Sequence, residues 1–115
     1  METIKTAPRA EEVARRTIEH LGQKVRIDLA VLFGTHARGE ADAWSDVDLA
    51  VVSPDFARMG HRKVLDLIVE VALAVDPSVD IRPYTPRDLK QARPTNFLGH
   101  ILAKGKVVYK EGNFL

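Results

Sequence analysis

Hydrophobic positions fall in blocks along the chain, and the length and period of each block separate helices from strands. From Pro8, the positions Ala10, Ala14, Thr17, Ile18 and Leu21 recur at helical spacing, with Gly22 as a stop. Glu11 to Arg15 and Glu12 to Arg16 are spaced for i,i+4 ion pairs on the opposite face. Ile27 to Phe33 alternates at first and turns wholly apolar toward Gly34, as a central strand does when it is buried on both faces. A second strand is expected from about Asp46 to Val52, ended by Ser53-Pro54-Asp55, and a helix from His61 to Val75, ended by Pro77. Val79-Asp80-Ile81-Arg82 reads as a third short strand. Thr85-Pro86 opens a short capped helix, Thr95 to Lys104 gives another that Gly105 stops, and Lys106 to Lys110 is extended.

These elements make three helix-then-strand units and predict an α+β domain, a small mixed sheet with helices packed mainly on one face. The helix at 61–75 is unusual, because from Val64 to Val75 only Asp66 and Glu70 are polar. So apolar a helix is expected to be buried on more than one side. The sheet supplies one side; a partner protein, a second copy or the segments that follow supply the other.

A length of 115 residues predicts one domain spanning 1–115, without room for a second, substrate-selecting domain. A net charge of +1 and the lack of any basic run of five residues do not favour nucleic acid as the main ligand. The chain has no cysteine, which excludes disulfides and thiolate metal sites. The N-terminal stretch lacks the apolar core of a signal peptide, and no apolar run approaches the roughly 20 residues of a membrane span, so a cytoplasmic protein is expected. His20, His36, His61 and His100 have no zinc-site spacing.

The chemistry concentrates between the first two strands. Gly34 ends the first, Thr35 follows, and ten residues later comes Asp46-Val47-Asp48. A glycine lets the chain turn tightly after a buried strand, and a helix opening at residue 35 would aim free backbone N–H groups at an anion such as a polyphosphate, with the Thr35 hydroxyl beside them. The period of two puts both aspartates on one face of a strand, with Cα atoms about 6–7 Å apart. Carboxylates placed so suit Mg²⁺, which fills its remaining positions with water and substrate phosphates. An isolated Asp-x-Asp equally fits strand-end solvation or a turn cap; the Gly-Thr ahead of it favours a site. Asp80, between two apolar strand residues, lies either at a solvent-facing rim or in an acidic cluster. Arg38 either serves phosphates or pairs with Glu40 or Asp42.

Phe33-Gly34-Thr35-x-Ala37-Arg38-Gly39 and Ser45-Asp46-x-Asp48-Leu49 together resemble the polymerase-β-like nucleotidyltransferases, specifically their minimal nucleotidyltransferase (MNT) domains. The family usually has Gly-Ser where this chain has Gly-Thr, which keeps the hydroxyl and adds a methyl beside the phosphates. The resemblance is specific over residues 33–49, weaker to about residue 84 and thin beyond. It implies the nucleotidyltransferase fold, with Asp46, Asp48 and Asp80 as catalytic acids holding two Mg²⁺ ions. Gly34, Thr35, Arg38 and Ser45 are then the nucleotide and phosphate residues, and ATP the donor. It further implies AMP transfer to a hydroxyl, a tyrosine on a helical HEPN-type toxin, with this chain as the antitoxin. Two other readings stand beside it: an antitoxin that neutralises by binding alone with nucleotide as ligand, and an aminoglycoside-type adenylyltransferase whose pocket a homodimer would complete.

Overall fold

A computed structural model describes residues 8–34 and 46–115. In chain order these form α1 (Pro8–Leu21), β1 (Leu29–Phe33), β2 (Val47–Val52), a 3-10 turn (Pro54–Ala57), α2 (His61–Val75), β3 (Val79–Tyr84), α3 (Pro86–Lys90), α4 (Phe97–Lys104), β4 (Lys106–Lys110) and β5 (Asn113–Phe114). The strands make one sheet in the order β3-β2-β1-β4-β5. β2 and β3 are parallel, joined over the sheet by α2 as a parallel pair requires. The other neighbours are antiparallel. The fold is therefore α+β with a mixed sheet, and the three helix-then-strand units are α1-β1, α2-β3 and α4-β4.

Strand periodicity divides the sheet into two unlike faces. Leu32, Val47, Leu49, Val51, Val79 and Ile81 point to the face that α1 and α2 cover, where they pack with Val13, Ile18, Leu21, Val64 and Val71. Thr17 is wholly buried there and satisfied, its hydroxyl donating to the Val13 carbonyl at 2.7 Å. Arg9 ties the start of α1 to the α2–β3 loop through Asp76, at 2.8 Å. The opposite face has a smaller apolar cluster, Val31, Phe33 and Ala50 under Ile101 of α4. Gly99 lets α4 dock against its own approach, since a Cβ there would run into the Arg93 carbonyl.

The structure departs from the sequence expectations at several points. Arg15 pairs with Glu12 and Glu19, and Glu11 with Lys106 on β4, in place of the two expected i,i+4 steps. Tertiary contact draws Glu11 away from its own helix. β3 continues to Tyr84, and the hairpin to β5 was not anticipated; its turn rests on Glu111 and Gly112, both at positive φ. The largest difference concerns α2. Leu65, Val69 and Leu73, four residues apart, are 40%, 54% and 68% exposed. Among the described residues, the segments that follow do not cover this stripe; they turn into β3 and pass to the other face, which leaves a partner protein or a second copy as the expected cover. Among the described residues no helix is long and apolar enough to cross a membrane.

Candidate functional site

Asp48 and Asp80 lie on the second face of the sheet. β1 ends at Phe33, which lies opposite Asp48 in the antiparallel register. Gly34 then turns with φ +78°, in the left-handed region that glycine enters without cost. A Cβ at this position would collide with a carboxylate oxygen of Asp48. Gly34 is thus needed twice, for its backbone angle and for the room it leaves that carboxylate.

Asp48 and Asp80 are register partners on the parallel strands β2 and β3. Paired residues on neighbouring strands share a face and stand about 4.8 Å apart. Both carboxylates are therefore in reach of a common cation. Asp46 is exposed at the mouth of β2, two residues before Asp48. The donor set, three carboxylates at a strand edge, fits Mg²⁺ by its hard oxygen chemistry. Among the described residues, however, no three acidic or histidine side chains close into a ready metal cluster. Thr35, Arg38 and Ser45 lie outside the described residues.

A cation already stands near Asp80: the Arg82 guanidinium, 4.0 Å from its carboxylate. Arg82 also lies over the ring of Phe97, 5.1 Å from the centroid, and Phe97 meets Phe33 edge-on at 5.9 Å. These contacts are worth roughly 0.5–1.5 kcal/mol each. They fasten the first turn of α4 to the strand ends that carry the acids. Burial raises the phenol of Tyr84, two residues beyond Arg82, above its ordinary value, against the opposing pull of Arg82.

Beyond Phe97, α4 presents His100, Ile101 and Lys104 to a hollow of about 210 Å³ shared with Phe33 and Gly34. Sequence reasoning missed Arg82, Phe97, His100 and Lys104. The spacing 97, 100, 101, 104 marks one helix face and was readable; that this face meets Gly34 is set only by the docking of α4 over β1.

The family profile described as Polymerase beta, Nucleotidyltransferase matches residues 16–113. The Methanocaldococcus jannaschii "putative protein adenylyltransferase MJ1305" is 33% identical over 87 residues, 73% of this chain and 59% of that protein. The chain therefore spans less than two thirds of that relative's length. A crystal structure of a "putative nucleotidyltransferase" from Sulfolobus solfataricus superposes with a TM-score of 0.69 at 16% identity, covering 93% of this chain and 86% of the other. A toxin–antitoxin crystallised with AMP-PNP superposes with a TM-score of 0.57 at 24% identity over 83% and 72% of the two chains. A toxin–antitoxin named MntA-HpeT gives 0.53 at 20% identity over 84% and 72%. At these identities the solved structures speak to the fold alone.

Proposed function

The chain belongs to the polymerase β nucleotidyltransferase family, and from that premise we propose that it moves AMP from ATP to a hydroxyl on a protein, a tyrosine of a HEPN-type toxin, and so acts as a cytoplasmic antitoxin. The observation that carries this reading is the pairing of Asp48 with Asp80 beside the Gly34 turn. The relative named as a protein adenylyltransferase supports the reaction, and the toxin–antitoxin neighbours support the partner. The uncovered stripe on α2 agrees with a substrate that is itself a protein.

Asp46, Asp48 and Asp80 would hold two Mg²⁺ ions, whose chemistry is to lower the pKa of the acceptor hydroxyl and to neutralise the triphosphate. Gly34, with Thr35, Arg38 and Ser45, would hold the outer phosphates. The acceptor oxygen bonds to the α-phosphorus as the bond from that phosphorus to the bridging oxygen breaks. AMP stays on the acceptor and pyrophosphate departs. The acceptor proton passes to Asp80, the carboxylate on the edge strand, where an entering side chain has access. Arg82 must then give up its contact with Asp80, and the phosphate charge offers it a new partner.

The test is labelling of the co-purifying protein with AMP from Mg²⁺ and ATP. Wild type labels it and Asp46→Asn does not; equal labelling by the variant removes the catalytic reading. A second reading, neutralisation by binding alone, is favoured by the Asp80–Arg82 ion pair, which leaves one acid engaged without metal. It expects Asp48→Asn and Asp80→Asn to neutralise the partner as well as wild type does in a growth-rescue assay.

A further inference from the structure

We propose that α4 supplies a cationic clamp for the terminal phosphates of the donor, with Lys104 as its principal contact and His100 as a second hydrogen-bond donor. The inference rests on the nucleotidyltransferase reading and adds to it a group from the far end of the chain.

The geometry points there in three steps. Gly34 and the last turn of α4 lie across from each other because β4 is antiparallel to β1, with Lys106 opposite Leu32. Gly105, tight against Val31 and the Leu32 carbonyl, lets the helix end at that height. Lys104 and His100, one turn apart on the same face, therefore open on the hollow that Gly34 and Phe33 close from the other side. At about 210 Å³ the hollow is smaller than the roughly 300–1,000 Å³ of a whole small-molecule site, a size for part of a ligand. Gly34, which lines it, lies against the carboxylate of Asp48, so a nucleotide with its α-phosphate at the acids would extend its outer phosphates toward it.

Lys24 and Lys106 are committed to Glu70 and Glu11, whereas Lys104 and His100 make no ion pair among the described residues. A lysine in the last turn of a helix also offsets the helix dipole. That role predicts an effect on stability and none on the choice between nucleotides.

The experiment measures binding, not turnover. Calorimetry with Mg²⁺ compares a nonhydrolysable ATP analogue with AMP on wild type, Lys104→Met, Lys104→Arg and His100→Ala, each checked for an unchanged melting temperature. Lys104→Met is expected to weaken the analogue about tenfold and leave AMP unchanged. Lys104→Arg restores most of the loss, and His100→Ala shows a smaller loss of the same selectivity. Equal loss for both nucleotides, or no loss for the analogue, overturns the clamp while the family reading stands. Failure of wild type to bind either nucleotide overturns both.

Discussion

The two faces of one sheet do opposite work here, and Asp48 and Leu49, adjacent on β2, show it. Leu49 points into a sealed layer of aliphatic side chains beneath α1 and α2, wholly removed from water. Asp48 points to the face on which, among the described residues, the short helix α4 packs, and where acids, aromatic rings and cations meet solvent. One face carries the packed core and the other the charged groups. Truncation should separate them. Leu49→Ala is expected to cost about 2–5 kcal/mol, read as a shift of the denaturation midpoint, by removing packed methyl groups from a site that cannot collapse. Asp48→Asn is expected to leave the midpoint unchanged and to lower AMP transfer by at least about 100-fold, the scale for losing one preorganised charge at a reacting phosphate. A large stability loss in the second variant would mean that the carboxylate is part of the scaffold.

Gly34 stands where the two faces join, and a substitution there should touch both. Gly34→Ala places a side chain at positive φ, costing roughly 1–2 kcal/mol, and displaces the carboxylate of Asp48. Thermal stability is therefore expected to fall modestly and transfer to fall as far as in Asp48→Asn. A variant that keeps full transfer would show that the contact between these two residues is not needed.

The sealed face was the more legible in sequence. Helical spacing gave α1 from Pro8 and α2 from His61 to Val75, and the apolar runs gave β1 and β2, because burial against a layer imposes a strict period. Gly34 and the Asp-x-Asp pair were legible as a candidate site, and the placing of Asp80 next to Asp48 followed once β2 and β3 were known to be parallel neighbours. The α4 wall was not legible. Phe97, Arg82, His100 and Lys104 come from elements whose mutual position depends on how an eight-residue helix crosses the sheet. The ion pairs of α1 were misread for a related reason: local spacing cannot show that Lys106 of β4 arrives beside Glu11.

Away from the acids, one carboxylate belongs to the scaffold and should set a pH limit. The backbone N–H of Ser78 holds the Asp76 carboxyl below the ordinary carboxylate range, helped by Arg9 and opposed by burial. A group whose pKa is lower in the folded state stabilises fully above its unfolded value and loses that contribution as pH falls through the folded one. Wild type is thus expected to lose part of its stability on acidification below about pH 4. Asp76→Asn should be less stable by about 1 kcal/mol at neutral pH and show a flatter acid limb.

The smallest effect is expected on α2, whose inner and outer sides repeat the contrast between the two faces. Val71 is fully buried, while Leu73, two residues on, is 68% exposed. Leu73→Ser should therefore shift unfolding by no more than about 0.5 kcal/mol, as surface substitutions do. If it costs several times that, the stripe through Leu65, Val69 and Leu73 is covered in solution by a second copy, and the midpoint of the wild-type protein should then rise with its concentration. If it costs nothing, capture of the co-purifying protein by wild type and by the variant decides what the stripe is for. Loss of capture with unchanged nucleotide binding assigns it to the partner.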